Sequence, residues 1–171
     1  MIGAVQSDHL DWVAAQWRRE RPDLHVEPLE TLGRLFRAAQ LAELALAKGL
    51  GANELQPGWF DLLAALRRSG EPYELNPTEL AQATMLTSGG ITKRLDRLVE
   101  AGLVERRPDP DDRRGTLVRL TRRGRRVIDK AIETHVANEQ HLLQALKPVE
   151  RRELDALLRR LLAKLEERDR D

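Results

Sequence analysis

Apolar positions along the 171-residue chain recur mainly at helical spacing. Leu10, Val13, Ala14 and Trp17 predict a first helix from about Ser7 to Arg21, with Ser7 as its cap and Arg21-Pro22 as its end. Pro28 opens a second helix over about Leu29 to Ala47, carrying Leu32, Leu35, Phe36, Ala39, Leu44 and Leu46, and Gly49 and Gly51 are expected to stop it. A third runs from near Pro57 to Arg68 through Trp59, Leu62, Leu63 and Leu66, before Ser69-Gly70 and Pro72 break the pattern.

From Tyr73 onward the elements shorten. Tyr73 to Leu75 predicts a brief strand, and Asn76-Pro77-Thr78-Glu79 is a helix start with Asn76 as cap and Pro77 in the first helical position. After a turn at Met85-Leu86, Thr87 is the expected cap of a helix reaching Ala101 and ended by Gly102, with Ile91, Leu95, Leu98 and Val99 as one apolar stripe. Two such helices joined by a tight turn make a helix-turn-helix. Leu103 to Arg107 and Thr116 to Thr121 then alternate apolar and charged residues around the turn-rich Pro108 to Gly115. Two strands around a charged loop, placed directly after a helix-turn-helix, form a wing. A long helix follows Gly124 to about Leu146. Beyond Pro148 the last helix carries Leu154, Leu157, Leu158, Leu161, Leu162 and Leu165, a stripe too apolar for a solvated tail. The expected fold is mainly α with a small β-wing. Three regions result: N-terminal helices (residues 1–50), a winged helix-turn-helix lobe (51–124) and C-terminal helices (125–171), the outer two serving dimerisation.

Composition narrows the chemistry. Apolar residues are 41% and charged residues 33%, a balance that builds one domain with helical extensions. Aromatics are 4%, three of them Trp, and cysteine is absent. That absence excludes disulfides, thiol nucleophiles and Cys-ligated zinc, and fits a cytoplasmic protein. No apolar run is long enough to span a membrane, and Met1 to Leu10 lack the pattern of a secretory signal. The net charge of +1 is unevenly spread. Leu86 to Arg126 holds twelve Lys/Arg against six Asp/Glu, a surplus of six, while the rest of the chain carries −5. A basic middle between acidic arms is the balance expected where one face meets a polyanion.

Leu80-Ala81-Gln82, the run Thr87 to Leu98, Gly102-Leu103-Val104-Glu105-Arg106-Arg107, Asp109 to Arg114 and Leu120-Thr121-Arg122-Arg123-Gly124 follow one another in a specific order. In that order they resemble the MarR family (multiple antibiotic resistance regulators), over Leu50 to about Leu165. The resemblance implies a dimeric winged-helix repressor on double-stranded DNA, with no enzymatic activity and no cofactor. Burying Ile91, Leu95 and Leu98 turns Ser88, Thr92, Lys93 and Arg97 outward, and a helix so decorated suits the major groove. Thr87 stands with them at the helix start, and Gly89 and Gly90, lacking side chains, allow close approach to phosphates. Arg113 and Arg114 at the wing tip suit a narrow minor groove, and by the resemblance Asp112 braces one of them. A homodimer presents two such helices about 34 Å apart, the spacing of a palindromic operator.

Repressors of this kind respond to small molecules. The extra helix containing Trp17 is similar to the urate-responsive branch of the family, the PecS- or UrtR-type. That likeness implies an effector pocket of Trp17, Asp61, Arg94 and Arg106, with Trp12 as the alternative to Trp17. An aromatic face, two guanidinium forks and a carboxylate suit a planar or carboxylated anion, urate or an organic acid such as a tricarboxylate. The carboxylate is also placed to pair with an Arg when the pocket is empty. Competing classes are weaker. There is no Gly-rich phosphate loop, zincin motif or nucleophile elbow. His9, His25, His135 and His141 are scattered; the remaining alternatives are a metal- or aromatic-acid-responsive regulator of the same fold and a winged helix that binds protein.

Overall fold

The computed structural model describes residues 7–51, 55–56, 58–84, 90–110, 112 and 115–168. It falls into two compact units, Met1–Ala45 and Leu46–Asp171.

The first unit holds α1 (His9–Glu20) and the start of α2 (Glu27–Gly51). Asp8, not Ser7, caps α1. Its carboxylate accepts the backbone N–H groups of Leu10 and Asp11 at 2.8 and 3.1 Å, and its own N–H donates to Asp11 Oδ2 at 2.7 Å. A carboxylate is the stronger acceptor here and also complements the positive end of the helix. Arg34 of α2 reaches across to Asp8 at 2.8 Å and also to Asp11, while Arg18 pairs with Glu30 at 2.8 Å. The Arg34 bond and these backbone donors hold the Asp8 carboxyl below the usual carboxylate range.

The second unit contains α3 (Trp59–Arg68), β1 (Glu74–Leu75), α4 (Pro77–Ala83), α5 (Ile91–Glu100), β2 (Val104–Pro108), β3 (Thr116–Leu120), α6 (Arg122–Leu142) and α7 (Pro148–Arg168). A single 3-10 turn, Leu143–Ala145, links the last two helices. The expected hairpin is present, with Val104 opposite Leu120 and Pro108 opposite Thr116. What the alternation did not reveal is that β1 joins it. The sheet order is β1-β3-β2, all antiparallel, so β3 is central.

Seventeen buried residues form the core of this unit among the described residues, with Leu62, Leu63, Leu66, Leu80, Leu98 and Val118 fully enclosed. Each such aliphatic side chain contributes about 1.5–3 kcal/mol by leaving water. Two glycines belong to this packing rather than to chain reversal. Gly49 was expected to stop α2, yet the helix runs through it to Gly51. A Cβ at Gly49 would overlap the side-chain amide of Asn138 on α6. Gly124 lies inside the first turn of α6, which starts at Arg122 and not after Gly124. A Cβ there would overlap the Leu103 carbonyl, so glycine is what permits α6 to meet the base of the wing.

No helix is long and apolar enough to cross a membrane among the described residues.

Candidate nucleic-acid interface

The helix-turn-helix is fixed from its first residue. Asn76 Oδ1 accepts the Glu79 N–H at 2.9 Å and Glu79 Oε2 accepts the Asn76 N–H at 2.9 Å, a reciprocal cap that starts α4. Arg68 at the end of α3 donates to the Ala83 carbonyl and so ties down the end of α4. The described part of α5 begins at Ile91, with Gly90 at its N-cap. Its inward stripe is buried as the spacing requires: Ile91, Leu95 and Leu98 are at most 3% exposed. Geometry then forces the opposite side outward. Thr92, Lys93 and Arg97 are all exposed. Thr87, Ser88, Gly89, Arg113 and Arg114 lie outside the described residues.

Behind α5 the wing is anchored by one residue. The Thr121 hydroxyl donates to the Gly102 carbonyl at 2.8 Å and accepts the Gly124 N–H at 2.9 Å, while its N–H donates to the Leu103 carbonyl at 3.1 Å. Arg123 donates to the Ala101 carbonyl. The Leu-Thr-Arg-Arg-Gly run is thus a joint between the end of α5, the wing and α6. In the wing loop, Asp109 N–H donates to the Gly115 carbonyl at 3.1 Å and Gly115 N–H to the Asp112 carbonyl at 2.8 Å. Asp112 is exposed, but the arginines it is expected to brace are outside the described residues.

The four expected effector residues fall in both units. Trp17 lies on α1 in the first, partly exposed, beside a cavity of about 360 Å³ that Gln16, Arg19 and Glu20 also line. Trp12 stacks on His9 at 5.4 Å. The other three belong to the second unit. Asp61 is exposed in the first turn of α3. Arg94 lies back over two glycines, where a Cβ at Gly58 would stand 2.7 Å from its Nε and one at Gly90 would stand 2.6 Å from its Nη1. Arg106 does not pair with Asp61. It donates to Asp96 of α5 at 2.5 Å, because Arg106 shares a face of β2 with the buried Val104 and that face is turned toward α5. No ion pair joins Asp61 to Arg94 or Arg106 among the described residues.

Sequence reasoning missed a cavity of about 260 Å³ between the start of α4, α5 and the wing. It is lined by Pro77, Thr92, Leu95, Arg106 and Thr116. Its walls come from four elements, so no local pattern announces it. It sets Thr92, an expected DNA contact, beside Arg106, an expected effector contact. Among the described residues no group of three His, Asp or Glu side chains is gathered to hold a metal ion.

Known proteins share this architecture. Residues 53–115 match the family model described as "MarR family". The HTH-type transcriptional regulator PecS of Dickeya dadantii (strain 3937) is 41% identical over 149 residues, covering 87% of this chain and 90% of that one. A mutant MarR from E. coli complexed with operator DNA superposes with a TM-score of 0.68 at 28% identity, over 91% of this chain and 99% of that one. Bordetella bronchiseptica BpsR, from a structure concerned with regulation of its DNA binding by 6-hydroxynicotinic acid, superposes with a TM-score of 0.67 at 27% identity, over 77% and 98%.

Proposed function

The chain belongs to the MarR family of DNA-binding transcriptional regulators, and from that premise we propose that it is a cytoplasmic repressor which binds a palindromic operator as a homodimer and is released by a small anionic effector. The observation that carries the DNA reading is α5: a buried apolar stripe that leaves Thr92, Lys93 and Arg97 together on an exposed face, next to the wing. Hydroxyls and cations on a helix of this kind reach base edges and phosphates in the major groove. The family resemblance adds Thr87, Ser88, Gly89 and Gly90 as DNA contacts beside them, and Arg113 and Arg114 as minor-groove contacts with Asp112 in support. In the E. coli relative the bound DNA is an operator.

The homodimer follows from unpaired apolar surface. On α7 no residue is buried, and Leu154, Leu157, Leu162 and Leu165 are 40–59% exposed. The division of labour is accordingly 1–50 and 125–171 for pairing, with 51–124 for DNA. For the effector, Trp17, Asp61, Arg94 and Arg106 supply an aromatic face, two guanidinium groups and a carboxylate. Arg106 opens onto the cavity that Thr92 shares, so an anion taken there bears directly on the DNA-reading helix. An effector acts in this way only if it prefers the released arrangement. Urate and a tricarboxylate are the two candidates.

A titration of promoter DNA at several salt concentrations tests the DNA reading. Arg97→Ala and Arg114→Ala are each expected to weaken binding by about 1–3 kcal/mol, with a shallower salt dependence for a phosphate contact. Unchanged binding in both variants overturns it. For the effector, urate is added to the protein–DNA complex, then a tricarboxylate. Release by the tricarboxylate alone rejects urate, and release by neither rejects both.

A further inference from the structure

We propose that a second anion site, separate from the effector residues, lies where β3 meets α6, and that it takes a compact, multiply charged oxyanion. A cavity of about 330 Å³ opens there, and Arg119, Arg122 and Arg125 line it together with Tyr73, Thr121 and a single carboxylate, Glu71. Three guanidinium groups around one small space are the arrangement that binds phosphate or clustered carboxylates through paired N–H donors.

The arginines are not consumed by their own chain. Arg119 and Arg122 form no ion pair among the described residues, and Arg125 reaches Glu71 and Asp129 only at 3.9 Å each. The neighbouring acids are engaged elsewhere or stand off. Asp129 is bonded to Arg67 at 2.6 Å, Glu74 is paired with Arg107 at 3.3 Å, and Glu105, which faces Arg119 in register, forms no ion pair with it. The first turn of α6 also contains Arg122, Arg123 and Arg125 and no acid. Cations at the positive end of a helix oppose its dipole. Arg123 has a local use, at the Ala101 carbonyl, and Arg125 has distant carboxylates and the Tyr73 ring, but Arg122 forms no ion pair among the described residues that offsets this cost, and a bound oxyanion would.

The ring in the cavity decides the shape of the ligand. Tyr73 already carries two guanidinium groups over its ring, Arg67 at 5.0 Å and Arg125 at 4.7 Å from its centroid. Both contacts are with cations of this chain, which compete with any stacked ligand, and this favours a compact occupant over a planar one. Arg119 projects from the face of β3 opposite to Val118, whereas Arg106 shares Val118's face. The two anion sites therefore lie on opposite faces of the sheet. Glu71 is the internal competitor: its carboxylate stands near Arg125 and accepts the Tyr73 hydroxyl at 3.3 Å.

The test is calorimetric titration of the full chain, free of DNA and carrying Arg106→Ala so that the proposed effector site is disabled, with inorganic pyrophosphate and separately with citrate at constant ionic strength. Saturable binding of one or both is expected, and which one binds assigns phosphate or carboxylate. Arg122→Ala is expected to weaken it by about tenfold or more, and Glu71→Gln to tighten it by about threefold, since one removes a donor and the other a competing charge. Lys147→Ala, an exposed cation outside the cavity, should leave it unchanged. Arg122 and Glu71 are exposed, so both variants are compatible with folding, and an unchanged melting curve verifies this. No saturable binding, unchanged affinity in Arg122→Ala, or weaker binding in Glu71→Gln overturns the proposal. If promoter DNA displaces pyrophosphate and Arg122→Ala flattens the salt dependence of DNA binding, the cavity serves the DNA backbone and the free-anion assignment fails.

Discussion

In the winged-helix lobe, α3 alone buries Trp59, Phe60, Leu62, Leu63, Ala65 and Leu66, whereas the longer α2 and α7 bury nothing although both are rich in leucine. The lobe satisfies its apolar face with its own chain. In the N-terminal unit only Ala14 and Val26 are buried among the described residues, while Trp12, Phe36, Leu41 and Leu44 remain exposed. Similar residue types have thus met two fates. Where short elements close on one another, leucine is core; on α2 and α7 leucine stays at the surface. That contrast supports the proposed pairing between copies, because a large uncovered apolar stripe is costly in water.

Four experiments break or sharpen this contrast. Leu98→Ala should remove about 2–5 kcal/mol from the stability of the lobe, read as a lower denaturant midpoint, because a fully enclosed side chain leaves a cavity. Leu157→Ala combined with Leu162→Ala should instead weaken self-association by about 1.5–3 kcal/mol, read by sedimentation across a dilution series. If that double variant unfolds the lobe and leaves the oligomeric state unchanged, α7 is core and the contrast disappears. Gly124→Ala is expected to cost about 1–3 kcal/mol of lobe stability, since its methyl group meets backbone that cannot swing aside. An unchanged melting temperature would show that α6 and the Leu103 turn are free to separate.

The smallest effect concerns pH. Asp8 is held below the usual carboxylate range, mainly by Arg34 and then by the backbone donors of its cap. A depressed carboxyl stabilises fully above its unfolded value and loses that contribution as pH falls through the folded one. Helicity of α1 should therefore decline on acidification below the ordinary carboxylate range, and Asp8→Asn should flatten that decline. Salt should reduce the effect as well, because the pair is exposed.

Much of the DNA-binding lobe was legible before any coordinates. The stripe Ile91, Leu95, Leu98 and the Asn76/Glu79 cap are local patterns, and local patterns survive whatever the rest of the chain does. The cap of α1 was misread at Ser7 although Asp8 and Asp11 stand three apart and carry the reciprocal signature. Gly49 misled because a glycine at a helix end and a glycine under a neighbouring side chain look alike in sequence. The pairing of β1 with β3 had no readable signal, since two residues are too few to show alternation. The candidate effector residues divided similarly: their chemistry was readable, but Arg106 found Asp96 and Arg94 settled over Gly58 and Gly90.

By itself the sequence determined where the helices lie to within a turn, which side of α5 is apolar, and where positive charge accumulates, because periodicity and composition act over a few residues. Only the tertiary structure decided which carboxylate each arginine meets, which glycines lie under a neighbour, and where cavities open beside Arg106 and Arg122. Those outcomes depend on elements far apart in the chain being brought within a few ångströms, and electrostatic and steric contacts fall off too steeply with distance for a linear pattern to encode them.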